Sequence, residues 1–370
     1  MSQRRLRVLA LSPQPIEGAG CRFRIAHYIP SLNANGFDVE LSPLYTNEFF
    51  RLVHKPGYIP EKAVNFTEFA LRRLWSLQTL NDYDVVFLYR EIFPVGPAWV
   101  ERLMTKPGRP PVVFDFDDAI FLPSVSKANR MIEALKFPGK VADIIRYSTE
   151  IVAGNDYLAA YAKQYNPAVT VIPTTVDTNA FTPVMHKQPD PRGLVLGWIG
   201  SPTTAEYLDP FVRVLQRLQS AGHRFVMRIS GSSEPVAIDG VSVDNLPWAL
   251  AKEIDLFRTC DIGVYPLPDD EWSKGKCGFK AIEFMACGVP VVAARVGVNK
   301  EIITDGVDGF LASSDDEWVE KLTRLMADPE LRARLGAAGR RTIEERYSLQ
   351  VRAPQLAAVM RRAAERRRSE

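Results

Sequence analysis

The sequence predicts an α/β protein of two Rossmann-like domains, on three observations. A strand, a glycine-bearing loop, a helix and a second strand open the chain over residues 7–41. The same pattern restarts at residue 194. Both halves also carry short, continuous apolar runs, the signature of strands buried on both faces of a parallel sheet. A length of 370 residues is too great for one small core and suits two. With 46% hydrophobic and 24% charged residues the chain is globular, and a net charge of +2 gives no field suited to nucleic acid. No apolar run approaches a membrane span. The basic start, residues 1–7, leads into an apolar run too short for a signal peptide. Cys21, Cys260, Cys277 and Cys287 are scattered without metal spacing and read as small buried hydrophobes in a reducing compartment.

In the first half, residues 7–12 are the first strand. The loop after it carries Gly18 and Gly20 and opens onto Arg22, Arg24 and His27. Ile25, Tyr28, Ile29 and Leu32 have helical spacing, with a kink expected at Pro30. Residues 37–41 form the second strand and residues 49–78 a long helix. Residues 83–89 are a buried strand ending in Arg90 and Glu91, and residues 111–114 a strand ending in Asp115, Phe116, Asp117 and Asp118. Ligands of doubly wound sheets bind beyond the carboxyl ends of strands, so both clusters stand where chemistry is expected. Asp117 and Asp118 suit a catalytic or acceptor-supporting role without metal; the alternative is a cap on a helix from Ala119 onward. Arg22 and Arg24 suit a phosphate or an acceptor, or are ordinary surface arginines. Strands at 151–155 and 169–173 complete this half. Residues 174–193, rich in Pro, Thr and Asp, read as a linker.

In the second half, residues 194–199 are a strand. The loop Gly200, Ser201, Pro202, Thr203, Thr204 follows, and a helix over 205–220. Such a loop cradles phosphate through its N–H groups or is a plain capped turn. A strand over 225–230 ends at Gly231, and a helix is expected over 249–258. The strand 261–265 runs into a loop beginning at Pro266. Residues 316–326, 329–345 and 349–368 read as helices. The last holds a basic cluster, Arg361, Arg362, Arg366, Arg367 and Arg368, which is a solvated helix end or a contact with an anionic membrane.

The stretch from Trp272 to Ala294 is the most informative. Lys276, Lys280 and Glu283 fall at helical spacing, with the regular helix starting near Phe279 and Gly288 and Pro290 stopping it. Lysines at a helix N-terminus suit a phosphate, and a glutamate further along suits a sugar hydroxyl pair. Together they read as a site for a nucleotide diphosphate with its ribose, or as a solvated amphipathic face.

Residues 272–311 resemble the donor-binding segment of retaining GT-B glycosyltransferases of the group one, or family four, class. The run from Glu283 to Ala293 (EFMACGVPVVA) and that from Glu301 to Leu311 (EIITDGVDGFL) carry the resemblance. It implies that Glu283, Gly200, Ser201, Thr203, Gly231, Pro266, Gly297 and Asn299 serve the donor, and that Gly18, Gly20, Arg22, Arg24, Arg90 and Glu91 lie on the acceptor or phosphate side. Members carry a first glutamate at the position of Gly275, where it helps to hold the donor sugar. They also carry an Arg and Lys pair near residue 200, which this chain lacks; Lys276 and Lys280 take that charge instead.

The expected fold is therefore GT-B, with two Rossmann-like domains facing across a cleft. Residues 1–178 form the acceptor-side domain and 179–348 the nucleotide-sugar domain, with 349–370 a helix returning to the first. The expected activity is metal-independent glycosyl transfer from a nucleotide diphosphate sugar. That donor is a co-substrate, and no cofactor is expected. The acceptor is a glycan, a lipid-linked sugar or a small molecule, as in polysaccharide biosynthesis. Lys276, Lys280, Asp117 and Asp118 are the expected catalytic residues, and the resemblance implies retention with front-face attack. The expected location is cytoplasmic, with peripheral contact at the inner membrane face through the basic end. The rivals are a nucleotide-sugar epimerase of the same fold and a non-catalytic sugar-nucleotide-binding subunit. A dinucleotide dehydrogenase would want a third glycine where Phe23 stands.

Overall fold

The computed structural model describes residues 4–53, 57–123, 137, 139–184 and 188–369, with side chains to residue 366. The chain divides into two compact units, Met1–Thr174 with Arg352–Glu370, and Thr175–Val351. Each is built on a six-stranded sheet whose strands all pair in parallel.

The first sheet has the order β2-β1-β3-β4-β5-β6. Its strands are β1 (Leu6–Ser12), β2 (Phe37–Pro43), β3 (Val85–Tyr89), β4 (Val112–Phe116), β5 (Glu150–Ala153) and β6 (Val169–Val171). β3, β4 and β5 are buried along their whole length, which is why they read as unbroken apolar runs. The second sheet has the order β12-β11-β10-β7-β8-β9. Its strands are β7 (Leu194–Ile199), β8 (Phe225–Ser230), β9 (Ser242–Leu246), β10 (Ile262–Tyr265), β11 (Val291–Ala294) and β12 (Phe310–Ala312). In each sheet the strand order reverses beside the first strand, between β1 and β3 and between β7 and β10. These reversals are the points at which such sheets open a crevice.

Several elements differ from the sequence reading. The expected single helix around Pro30 is three pieces, Ala19–Arg24, a 3-10 turn Ala26–Tyr28, and Ile29–Ala34. Pro30 sits in the first turn of the last piece, where its missing N–H costs nothing, so it starts a helix rather than kinking one. The long helix expected over 49–78 is a helix Asn47–Val53, a helix Ile59–Ser76 and a 3-10 segment Leu77–Asp82, with 54–56 outside the described residues. Residues 205–220 split into a 3-10 segment Pro202–Leu208 and a helix Val212–Ser220. The helix expected over 249–258 likewise splits into Leu250–Lys252 and Glu253–Arg258.

The stretch read as a linker is anchored. Thr174, Thr175, Val176 and Thr178 are buried. Val176 bridges Ser348, and Arg340 donates to the carbonyls of Thr178, Phe181 and Ala286. Those backbone groups are satisfied by protein rather than water.

The last helix, Leu349–Ser369, belongs to the first unit from Arg352 onward. Arg362 and Arg366 both pair with Glu150, which is 2% exposed, at 3.1 and 3.0 Å. Arg361 donates to the Asn35 carbonyl. These three cations have partners on their own unit, which diminishes the charge they present outward. The side chains of Arg367 and Arg368 lie outside those described. All four cysteines are buried and outside any disulfide, and burial pushes the Cys287 thiol up to about 12, so it is a packing group rather than a nucleophile. Among the described residues no helix is long and apolar enough to cross a membrane.

Candidate active site

In the second unit the expected donor residues collect at the carboxyl edge of the sheet. Gly200 follows β7 and Gly231 follows β8, and the Gly200 N–H donates to the Ser230 carbonyl at 3.0 Å. Gly231 has φ +94°, and a Cβ there would lie 2.2 Å from the Gly200 carbonyl oxygen. No other residue fits. Gly231→Ala is expected to lower the unfolding free energy by about 1–3 kcal/mol, read from the denaturation midpoint; an unchanged midpoint would mean that the two loops do not touch.

The loop after β7 is a closed capping box rather than an open phosphate cradle. The Ser201 N–H donates to Thr204 Oγ1 at 2.9 Å, and the Ser201 hydroxyl lies 3.0 Å from that of Thr203. Pro266 is buried at the end of β10. After it comes a one-turn helix, Glu271–Lys274, capped by Asp270, which accepts from the Ser273 N–H at 2.7 Å. Lys276 follows in a turn, not on the main helix, and its ammonium stands 5.8 Å from the centre of the Tyr207 ring. Tyr207 belongs to the segment after β7, so Lys276 reaches from the β10 side of the strand reversal to the β7 side.

The helix Phe279–Ala286 begins at the expected residue, with Gly278 at its N-cap in the left-handed region. Its Phe284 ring packs on Gly263 of β10, which fixes the helix against the sheet. Lys280 Nζ donates to Glu283 Oε2 at 2.8 Å, and it also stands 5.2 Å from the Phe257 ring centre. Glu283 is fully buried while Lys280 keeps 21% of its side chain exposed. The carboxylate therefore aims the lysine, and their mutual attraction is screened less than in a solvated pair. Gly297 lies on the backbone of Lys274, and Asn299 donates to the Ala294 carbonyl at 2.9 Å.

The buried atoms Ser230 Oγ, Ser273 Oγ and Asn299 Oδ1 have no hydrogen-bond partner among the described residues. Each such orphan costs roughly 1–3 kcal/mol, a cost native proteins concentrate where function needs it. Ser230 and Ser273 escape sequence reasoning, because nothing marks them until their surroundings are known. Gly275, where the resemblance leads to expect a glutamate, has φ −75° and ψ −12°. That backbone accepts any residue, so the absent carboxylate is not forced by conformation.

In the first unit the loop after β1 and the end of β3 meet at the strand reversal. A Cβ on Gly20 would lie 1.9 Å from the Tyr89 hydroxyl oxygen. That hydroxyl donates to Asp117 Oδ1 at 2.8 Å. Arg90, in the left-handed region at φ 56°, donates to Asp117 Oδ1 at 2.7 Å and to Asp118 Oδ2 at 2.7 Å. Burial works against ionisation of Asp117, but the charges of Arg90 and Arg24 and the hydrogen bonds from Arg90 and Tyr89 outweigh it and hold its carboxyl below the usual range. The stability from this pairing is present above the unfolded carboxyl value of about 3.9 and is lost as pH falls through the lower folded value. An ionised Asp117 accepts hydrogen bonds and orients; it does not supply a proton. The chain after Asp118 turns, with the Ile120 N–H on the Asp118 carbonyl, and no helix starts at Ala119 among the described residues. The capping alternative therefore has no helix to cap there.

Arg22 and Arg24 do not reach out to an acceptor or a phosphate. Arg24 is 3% exposed and grips Asp115 with two hydrogen bonds, while donating to the Ile172 carbonyl at 2.8 Å. Arg22 is 4% exposed and donates to the carbonyls of Ile16 and Glu17 at 2.9 and 3.1 Å, which holds the loop that carries Gly18. Both are internal struts. Glu91 is half-buried and lines a cavity of about 310 Å³ with Phe121 and Tyr161. Among the described residues no three His, Cys, Asp or Glu side chains converge as a metal site.

Residues 193–328 match the family described as glycosyl transferases group 1. The chain is similar to the D-inositol 3-phosphate glycosyltransferases of Stackebrandtia nassauensis and Xylanimonas cellulosilytica. The first is 32% identical over 46% of this chain and 43% of the relative. The second is 28% identical over 54% of this chain and 52% of the relative. The chain thus spans about half the length of the curated relatives it matches. Among solved structures it is similar to sucrose-phosphate synthase of Thermosynechococcus elongatus, with a TM-score of 0.72 and 15% identity over 97% of this chain and 99% of that one. It is also similar to Anabaena Alr3699/HepE in complex with UDP-glucose, with a TM-score of 0.68 and 15% identity over 96% and 99% of the two chains. The fold is that of GT-B glycosyltransferases, and residues 193–328 are similar to the glycosyl transferases group 1 family.

Proposed function

We propose that the chain transfers a glycosyl group from a nucleotide diphosphate sugar to a carbohydrate or lipid-linked acceptor, with retention and without a metal or cofactor. The observation that carries this reading is that Lys276, beside Tyr207, and Lys280, held by the buried Glu283, both follow β10 in the segment similar to group 1 glycosyl transferases. Solved neighbours were captured with UDP-glucose and with ADP and acarbose, which supports a nucleotide sugar as donor.

The chemical task is to stabilise a departing diphosphate while positive charge develops on the sugar. Two fixed ammonium groups do this electrostatically, with no reorganisation at the moment of reaction. The N–H groups at the start of the Phe279–Ala286 helix add to them. In the same reading Glu283 grips the donor ribose; since it is fully buried beside Lys280, donor entry must loosen that pair. Ser273 and Asn299, with their orphaned buried oxygens, are candidates for donor contacts. Asp117 and Asp118, pinned by Arg90, serve the acceptor side. Contact of the basic end with an anionic bilayer at the inner membrane face belongs to the same reading and calls for salt-sensitive binding to anionic vesicles.

Asp117→Asn is expected to depress turnover more than donor affinity, because it leaves the second unit untouched. Steady-state transfer with the donor varied checks this. Loss of transfer on chelation, with rescue by magnesium or manganese, would contradict the metal-free role.

A second reading, a non-catalytic sugar-nucleotide-binding subunit, is favoured by Gly275 in the place of the family's first glutamate. Product formation from a panel of radiolabelled nucleotide sugars and acceptors separates the two: transfer supports the first, and binding without transfer the second.

A further inference from the structure

The first unit holds a second cationic site, away from the Arg90 cluster. A cavity of about 490 Å³ opens at the carboxyl ends of β1 and β2, walled by residues 40–47 and by the helix Ile59–Ser76. Arg72 and Arg73 both line it. Arg73 is 4% exposed and donates to the Ser42 carbonyl at 2.7 Å, the Ser42 hydroxyl at 3.1 Å and the Ser12 carbonyl at 3.3 Å. Arg72 donates to the Leu44 carbonyl at 3.2 Å and lies over the Phe69 ring.

Neither guanidinium forms an ion pair with a carboxylate among the described residues. Every other deeply buried arginine in this unit is explained. Arg24 has Asp115, and Arg22 closes its own loop. Arg73 has only neutral partners and a like charge beside it. Burial, and then Arg72, pull its guanidinium down to about 10. A desolvated Arg73 with the exposed Arg72 beside it and no paired acid is costly, and an arriving anion relieves that cost. Glu40, the one carboxylate on the wall, accepts the Tyr83 hydroxyl at 2.6 Å instead. The remaining polar lining, Ser42, Thr46, Asn47 and Ser76, suits the oxygens of a phosphate or of a sugar. Pro15 and Ile16 bring the loop after β1 into the same wall, the loop that also carries Gly18 and Gly20.

We infer that this cavity binds a phosphomonoester-class oxyanion through Arg72 and Arg73. In a transferase the natural carrier of that group is a phosphorylated acceptor, an assignment that rests on the reading proposed above, whereas the anion site itself does not.

The test is calorimetric titration of inorganic phosphate and glycerol 3-phosphate into the full chain carrying Lys276→Ala and Lys280→Ala, so that the donor site cannot report. Saturable binding is expected, and adding Arg72→Ala, on an exposed side chain, should weaken it about tenfold or more. Arg73→Lys, which keeps the charge but not the fork, should weaken it as well. Flotation with phosphatidic acid vesicles identifies the carrier. Capture lost on Arg72→Ala marks a lipid headgroup, and phosphate binding without capture marks a soluble phosphomonoester; both support the site. Absence of phosphate binding, or binding indifferent to both arginine substitutions, overturns it. Nucleotide binding at Lys276 and Lys280 in the otherwise unaltered chain would survive that result, so failure here is distinct from failure of the transfer reading.

Discussion

Lys280→Ala is expected to lower transfer turnover by about 10²–10³, the usual loss when a positioned stabiliser of developing charge is removed. Donor binding should fall less, because a charge-assisted hydrogen bond to the ground-state phosphate is worth about 1.5–3 kcal/mol. The structure adds a second consequence. Glu283 is wholly buried and Lys280 Nζ is 2.8 Å from it, so the alanine variant leaves a buried carboxylate without its cation. The variant should therefore also be destabilised. Lys280→Ala combined with Glu283→Gln removes both charges and should regain stability while turnover stays low. That split separates a lysine that acts on the leaving group from one that only neutralises a glutamate. Lys276→Ala should lose turnover by the same amount or somewhat less. Arginine at either position should restore only part of it, since a planar fork is not a point charge on a flexible stem. Near-normal turnover and donor Michaelis constants in both alanine variants would remove this helix and the turn before it from the mechanism.

Arg24→Ala is expected to cost about 3–5 kcal/mol of stability, the penalty for orphaning a buried ion. Asp115 is fully buried, and Arg24 is its two-pronged partner as well as the donor to the end of β6 through the Ile172 carbonyl. Arg24→Met with Asp115→Leu should recover most of the loss, because well-packed apolar pairs replace buried ion pairs at little cost. Urea denaturation of the unaltered chain and the two variants measures this. A loss below about 1 kcal/mol for Arg24→Ala would mean that the guanidinium is solvated, and would restore its candidacy as an acceptor contact.

The sequence was most legible where spacing is local. Lys280 and Glu283 sit one helical turn apart, so their meeting follows from periodicity alone. The buried strands β3, β10 and β11 announced themselves as apolar runs, because both faces are covered. The stretch 205–220 reads as one helix, but Pro210 divides it into a 3-10 segment and the helix Val212–Ser220. Arg24 escapes the sequence for a different reason. Its partner lies 91 residues away on β4, and no local pattern distinguishes an arginine aimed at a ligand from one aimed inward. The same holds for Arg362 and Arg366, whose apparent surface charge is spent on Glu150 more than 200 residues earlier in the chain. Tyr89 was hidden too, since only the absent Cβ of Gly20 shows that its hydroxyl fills that space.

The central claim is that Lys276 and Lys280 hold the diphosphate of a sugar nucleotide. Phosphorus NMR of UDP, ADP and GDP titrated with the full chain tests it without knowledge of sugar or acceptor. At least one nucleotide should show shifted α- and β-phosphate resonances, and the Lys276→Ala, Lys280→Ala double variant should bind it at least about tenfold more weakly. Failure of all three nucleotides to bind, or equal binding by the folded double variant, would contradict the account.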